Sequence, residues 1–216
     1  REDHGYASST LAVDADRIYA FFGRSGVLAF DHAGKPLWKT NVGTGLNGWG
    51  SASSPVIHGD LVIVNASVES ESVVALNKKT GKEVWRTGGI QESWHTPVVG
   101  DAGGKPELII AMIQEVKGLD PATGEVLWEC ATGIPWYMCP TPAVAEGMAY
   151  LIGGRGGNGL AIKLGGRGDV TATHIAATWT KGSNVSSPVL HDGHLYFAND
   201  SQGSVYCANV KTGELL

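Results

Sequence analysis

Residues 74–85 read Val-Ala-Leu-Asn-Lys-Lys-Thr-Gly-Lys-Glu-Val-Trp, and this motif recurs along the chain. A second copy, at residues 118–128, reads Gly-Leu-Asp-Pro-Ala-Thr-Gly-Glu-Val-Leu-Trp. A third copy, at residues 29–38, is one residue shorter, and a fourth, at residues 207–216, ends one position before its Trp. The pattern, kept with small changes, is a small residue, an Asp or Asn two positions later, then Thr-Gly and finally Trp.

Each position of the motif has a physical reason. The side chain of Asp or Asn opens a tight turn by accepting hydrogen bonds from backbone amides just ahead of it. Gly closes the turn in a left-handed conformation that other residues adopt only at a cost. The Trp lies on the return strand and offers a large apolar face to its neighbour. We therefore predict β-hairpins that carry four structural docking residues, Trp38, Trp85, Trp128 and Trp179.

A second landmark, a Pro that opens an apolar strand, alternates with the motif. It occurs at Pro55, Pro97, Pro142 and Pro188, with spacings of 42, 45 and 46 residues. The four docking Trp residues lie 47, 43 and 51 residues apart. A repeat of this length that contains only short strands and turns is typical of the blades of a β-propeller.

The predicted fold class is therefore all-β, a β-propeller of four-stranded antiparallel blades. At roughly 45 residues per blade, the chain holds four blades and most of a fifth. Closed propellers usually have more blades, so we expect an incomplete arc that the remaining blades of a longer protein, or self-association, would close. The predicted blades of this partial propeller, residues 1–216, are approximately 8–43, 53–89, 95–133, 140–183 and 186–216.

The fourth repeat departs from the others by an insertion. Ala161 and Trp179 are 18 positions apart, whereas Ala75 and Trp85 are 10 apart. The extra residues surround a Gly-rich stretch at 165–169. No Lys-Ser/Thr pair or helix pattern follows, so a phosphate loop is not indicated. We expect flexible surface hairpins here instead.

Composition excludes some classes of function. The net charge of −5 is mild and Lys and Arg do not cluster, so no nucleic-acid surface is predicted. No apolar run is long enough for a transmembrane segment. The three cysteines lack the spacing of a metal site. Cys130 and Cys139 either form a disulfide or remain reduced thiols.

The motif resembles the tryptophan-docking motif of the pyrroloquinoline quinone (PQQ)-type propeller repeats, and the resemblance covers nearly the whole chain. Two groups share these repeats. One comprises the quinoprotein alcohol and glucose dehydrogenases. The other comprises cofactor-free propellers similar to the lipoprotein of the machinery that assembles outer-membrane β-barrels, which are extracytoplasmic scaffolds whose loops bind partners.

The resemblance implies different sites for the two groups. The dehydrogenases hold PQQ with calcium and use adjacent cysteines, an Asp base and Glu, Asn and Asp ligands. No two cysteines are adjacent in this chain, and Glu92 stands alone among the strand openings. The favoured hypothesis is a non-enzymatic scaffold, periplasmic or otherwise extracytoplasmic, with no catalytic residue, metal or cofactor. The alternative is a fragment of a PQQ-dependent dehydrogenase.

The segments just before the Pro-led strands are unusually aromatic, and they contain three of the seven Trp residues. In propellers of this type, these segments surround one mouth of the central channel. One interpretation is that their rings only pack on the next blade. The other is a shallow aromatic and polar bowl that binds a protein, a sugar or another small ligand. The candidate binding residues, expected to converge, are Tyr6, Asn47, Trp49, Trp94, His95, Trp136, Tyr137 and Asn184.

Overall fold

The computed structural model describes residues 8–155 and 157–216, and strands dominate this part of the chain. Its short strands form five sheets: three of four strands, one of three, and one that gains a fifth strand. The prediction of an all-β chain built from four-stranded antiparallel sheets is confirmed. The chain divides into two compact units. One comprises the described residues up to Pro97 with Ala122–Gly124, and the other comprises Val98–Pro121 with Glu125–Leu216.

The first unit contains two sheets in which consecutive strands pair antiparallel. The strands of the first sheet are β1 (Ala12–Val13), β2 (Ile18–Phe21), β3 (Val27–Phe30) and β4 (Pro36–Thr40). Those of the second sheet are β5 (Val56–His58), β6 (Leu61–Ala66), β7 (Ser72–Asn77) and β8 (Glu83–Gly88). A 3₁₀ turn, Gly23–Ser25, connects β2 to β3, and a short helix, α1 (Ser67–Ser70), connects β6 to β7.

The second unit contains the other three sheets. The third sheet is formed by β9 (Val98–Asp101), β10 (Pro106–Met112), β11 (Glu115–Leu119) and β12 (Val126–Ala131), joined by β16 (Gly168–Asp169). The fourth sheet is formed by β13 (Ala143–Ala145), β14 (Met148–Gly153), β15 (Asn158–Lys163) and β17 (Ile175–Trp179). A short helix, α2 (Thr171–His174), precedes β17. The fifth sheet is formed by β18 (Val189–His191), β19 (His194–Asn199) and β20 (Ser204–Asn209).

The turns of the repeated motif have the chemistry that their residues predict. Asn77 Oδ1 accepts hydrogen bonds from the backbone N–H groups of Lys79 and Thr80 at 3.1 and 3.0 Å. Gly81 then adopts a φ of 72°, in the left-handed region where a side chain would be strained. The side chain of Asn therefore starts the hairpin and Gly closes it.

The core of each unit lies between neighbouring sheets. In the first unit, one cluster of buried apolar side chains joins the first and second sheets, and it includes Tyr19, Phe21, Val27, Val64, Val74 and Leu76. In the second unit, one cluster joins the third and fourth sheets and another joins the fourth and fifth. β6 and β7 are buried along almost their whole length.

The four predicted docking Trp side chains contact backbone or buried polar groups. Trp85, Trp128 and Trp179 are buried and Trp38 is half-buried. Trp38 Nε1 donates to the carbonyl of Lys78 at 3.1 Å, in the motif turn of the second sheet. Trp179 Nε1 donates to the carbonyl of Gly213 at 2.8 Å, in the motif turn that follows β20. In both cases the indole of one sheet meets the turn of the next sheet along the chain.

The insertion in the fourth repeat pairs with the third sheet. Its strand β16 pairs in parallel with β12, with Gly168 opposite Trp128. Val170, 2% exposed, donates its N–H to the carbonyl of Glu129 at 2.9 Å. Residues 165–169 are largely exposed, as expected of a surface segment, but the pairing with β12 was not predicted from the sequence.

A buried carboxylate joins this insertion to the third sheet. Glu107 is 1% exposed, and its Oε2 accepts hydrogen bonds from Trp128 Nε1 at 2.8 Å and from the N–H of Gly165 at 3.1 Å. Arg167 Nη1 lies 3.6 Å from Oε1 of the same carboxylate. The fourth repeat lacks the Thr-Gly turn, and Glu107 supplies the acceptor that a turn carbonyl supplies for Trp38 and Trp179.

Candidate binding site

The segment that joins β4 to β5 presents an exposed Trp. Asn47 Oδ1 accepts the N–H of Trp49 at 2.9 Å, and the carbonyl of Asn47 accepts the N–H of Gly50 at 3.0 Å. These bonds form a tight turn of residues 47–50, and Trp49 is its third residue. The side chain of Trp49 is 64% exposed. The sequence thus builds a defined turn and places an indole on its surface.

Trp94 and His95 lie beneath the surface. Trp94 is 8% exposed, and its Nε1 donates to the carbonyl of Gly50 at 2.8 Å. His95 is 1% exposed; its Nδ1 donates to the carbonyl of Thr96 at 2.7 Å, and its own carbonyl accepts from Asn65 Nδ2 at 3.1 Å. The prediction of exposed side chains is wrong for these two residues. Trp94 instead supports the turn that carries Trp49.

A buried acid lies beneath the same segment. Glu69 is 5% exposed, and burial raises the pKa of its carboxyl, although a hydrogen bond from the Ser51 side chain acts in the opposite direction. Its Oε2 has no hydrogen-bond partner within residues 8–155 and 157–216. The carbonyl of Glu69 accepts the N–H of Gly45 at 2.9 Å. A Cβ atom at Gly43 would lie 2.2 Å from that carbonyl oxygen, so the segment packs against α1 without space for a side chain there.

The second unit brings together three of the predicted residues. Trp136 is 42% exposed, and the guanidinium of Arg155 lies over its ring, 5.6 Å from the centroid. Tyr137 donates its hydroxyl to Asn184 Oδ1 at 3.0 Å. The backbone N–H of Asn184 donates to Asp200 Oδ1 at 3.0 Å. The segments before β13 and β18 are therefore joined by side-chain hydrogen bonds.

A small, open polar pocket lies beside these residues. Its polar lining is formed by Arg155, Asn184, Asn199, Asp200, Ser201 and Gln202. Asn199, 8% exposed, fixes one wall, because its Nδ2 donates to the carbonyl of Gly182 at 2.7 Å and its Oδ1 accepts the N–H of Gln202. Such a lining binds polar or charged groups.

Seven of the eight candidate binding residues lie in the described part of the chain. Tyr6 lies outside the described residues. Asn47 and Trp49 form one surface in the first unit, and Trp136, Tyr137 and Asn184 form another in the second unit. The interpretation missed Arg155 and Gln202, because a Gly-rich hairpin and a short turn gave no chemical signal. Their position in the turn that joins the second and third strands of a sheet was the available clue.

In the described part of the chain, no group of three or more His, Cys, Asp or Glu side chains is arranged to hold a metal ion. Cys130 and Cys139 are reduced thiols, so the disulfide alternative is not realised. Burial raises the pKa of the Cys130 thiol. None of the helices in the described part of the chain is long and apolar enough to cross a membrane.

The family model of the outer membrane protein assembly factor BamB matches residues 2–216. The chain belongs to the BamB family. BamB from Moraxella catarrhalis has a similar structure, with 19% identity and a TM-score of 0.68 over 97% of this chain and 60% of that one. The computationally designed protein Ika8 is also similar, with 15% identity and a TM-score of 0.67 over 91% of this chain and 56% of that one. No curated protein matches the chain.

These similarities confirm the predicted PQQ-type propeller fold and its resemblance to BamB. At such identities the solved structures are evidence for the fold alone. The present chain spans about 60% of the length of the Moraxella catarrhalis BamB.

Proposed function

We propose that this chain is part of a non-enzymatic, extracytoplasmic propeller scaffold that takes part in outer-membrane protein assembly. It binds a partner protein through the segments that precede the inner strands of its blades, and it needs no metal or cofactor. Membership of the BamB family supports the scaffold role and the periplasmic location. Membership of this family does not favour the alternative function, that of a fragment of a PQQ-dependent dehydrogenase.

One observation carries the binding role. Trp49 and Trp136 are 64% and 42% exposed at equivalent places in two repeats, next to Asn47 and Tyr137, whose side chains are hydrogen-bonded. Exposed Trp side chains beside Asn and Tyr are enriched where proteins bind partners. The blades pack through a different set of Trp residues, so packing alone gives no reason for these two to be exposed.

Site-specific photo-crosslinking in intact cells tests the proposal. A benzophenone amino acid replaces Trp49 or Trp136, and the control replaces Val84, which is 52% exposed on β8. We expect crosslinks to a component of the outer-membrane assembly machinery from the two Trp positions and none from Val84. Equal crosslinking at all three positions, or crosslinks only to cytoplasmic proteins, would contradict the proposed function.

A further inference from the structure

The polar pocket of the second unit presents hydrogen-bond donors. Asn184 Oδ1 accepts the hydroxyl of Tyr137 at 3.0 Å, and Gln202 Oε1 accepts the hydroxyl of Tyr206 at 2.6 Å. A carboxamide has one acceptor oxygen and one NH₂ group. Each oxygen already accepts a hydrogen bond from a tyrosine, whereas neither NH₂ group donates to a described residue, so the NH₂ groups of Asn184 and Gln202 are the donors available to a ligand.

Arg155 adds a full positive charge to this lining. No carboxylate of the described residues forms an ion pair with it. Its guanidinium lies over the ring of Trp136, which favours the cation and limits the conformations of the side chain. A guanidinium presents its N–H groups as a planar fork that matches a carboxylate with two parallel hydrogen bonds.

A sugar fits this pocket less well than an anion does. Sugars in protein sites commonly stack a ring face on an aromatic side chain, but Arg155 already covers one face of Trp136. The pocket itself is lined by Gly and polar side chains in the described part of the chain. The available groups are therefore donors and charge rather than an apolar platform.

We propose that this pocket binds a carboxylate of an acidic partner polypeptide, with Arg155 as its cationic anchor and the NH₂ groups of Asn184 and Gln202 as additional donors. The inference rests on the proposed function, because it names the chemistry that the bound partner presents.

Asp200 limits the affinity of the pocket for an anion. Its Oδ1 accepts the N–H of Asn184, but its negative charge faces the same pocket and opposes an incoming anion.

The test is a titration of the whole 216-residue chain with short peptides. Binding is monitored by the NMR chemical shifts of the backbone amides of Gly157, Gly182 and Asn184. The probe is an acetylated, amidated Gly-Glu repeat peptide. The matched peptide has Gln in place of every Glu, and a third peptide has Gln with a free C-terminal carboxylate. We expect saturable shifts with the Glu peptide that weaken as salt is added. Shifts with the third peptide would identify a chain terminus as a second source of the carboxylate.

Two variants should change the affinity for the Glu peptide in opposite directions. Arg155→Gln should weaken binding of the Glu peptide about tenfold or more, because it removes a charge-assisted pair. Asp200→Asn should tighten binding, because it removes a repulsive charge and keeps an acceptor for Asn184. The matched control is Arg24→Gln, which removes an exposed arginine from the equivalent turn of the first sheet and should change nothing.

The failure of this inference is distinguishable from the failure of the proposed function. No saturable shift with either carboxylate peptide, equal binding of the Gln peptide, or an unchanged affinity of Arg155→Gln would overturn the carboxylate site. Crosslinking from Trp49 and Trp136 would still report a partner in that case. Thermal unfolding of each variant shows whether a lost shift reflects lost binding or a lost fold.

Discussion

At the scale of single residues, burial divides the aromatic side chains of the segments before the Pro-led strands into two groups. Trp49 is 64% exposed and Trp94, in the next repeat, is 8% exposed. The bond from Trp94 Nε1 to the carbonyl of Gly50 places the second indole beneath the turn that carries the first. The offset from the strand-opening Pro matches this division, because the exposed Trp49 and Trp136 lie six positions before it and the buried Trp94 lies three before it.

Trp85→Ala should lower the free energy of unfolding by about 3–5 kcal/mol, because it removes a large buried side chain. Trp85 is 8% exposed, and a Cβ atom at Gly124 would lie 2.5 Å from its ring, so the turn and the indole are in direct contact. Urea unfolding measures the change. Trp49→Ala is the control and should alter stability by less than about 1 kcal/mol. Similar losses for both variants would show that Trp85 has no docking role.

Glu69→Gln should stabilise the protein at neutral pH. Burial raises the folded-state pKa of Glu69 above its ordinary value, so the folded protein binds this proton more tightly than the unfolded chain does. Between the two pKa values, the stability of the wild type therefore falls as pH rises. Gln resembles the protonated acid and removes this loss.

The measurement is the free energy of unfolding against pH for the wild type and Glu69→Gln. The two curves should converge below the ordinary pKa of Glu and separate above the raised one. Glu71→Gln changes an exposed acid in the same β6–β7 connection and is the control. If Glu69→Gln is less stable than the wild type at neutral pH, the charged form is stabilised by contacts that outweigh burial.

At the scale of elements, the insertion of the fourth repeat depends on Glu107. Glu107→Ala should leave the buried indole N–H of Trp128 without its acceptor, at a cost of about 1–3 kcal/mol, and also remove the bond to the N–H of the exposed Gly165. Glu107→Gln keeps an acceptor oxygen and should lose less. Arg167→Ala should have an effect of about 0–1 kcal/mol, because its side chain is 59% exposed. Urea unfolding of the three variants checks this order, and an equal loss for all three would contradict it.

The sequence predicted the elements well wherever a local rule decides them. Asn77 and Gly81 specify their hairpin through bonds and dihedral angles within a few residues. The insertion was different, because nothing near residue 168 indicates a parallel pairing with β12, some 40 positions earlier. The polar pocket was missed for the same reason. Arg155 and Gln202 are adjacent only after two sheets have packed.

At the scale of the whole molecule, the fifth sheet has three strands among the described residues, fewer than any of the other four sheets. β20 is the last strand of the fifth sheet, and beyond a bridge between Ala208 and Leu215 no strand of the described residues pairs with its outer side. Val205 on this strand is 77% exposed. Unpaired edges with apolar side chains promote association between chains.

We therefore predict that the 216-residue chain self-associates in solution and that Val205→Lys reduces the association. A charge on an edge strand opposes pairing with a second chain. Light scattering over a concentration series measures the mass. Leu46→Lys, at a 70% exposed position outside any strand, in the segment that joins β4 to β5, is the control and should leave the association unchanged. A monomer at every concentration, or equal effects of the two substitutions, would contradict the prediction.

The parallel pairing of β16 with β12 also sets a limit on modular engineering. In a repeat protein, each repeat contacts its neighbours through a similar interface, so repeats can often be exchanged or deleted singly. Here the fourth repeat contributes a strand to the sheet of the third, and Glu107 of the third accepts hydrogen bonds from both. Deleting or transplanting either repeat alone would remove strand pairs from the one left behind. These two repeats form a single exchangeable cassette, and a chimera should transfer residues 98–179 as one piece.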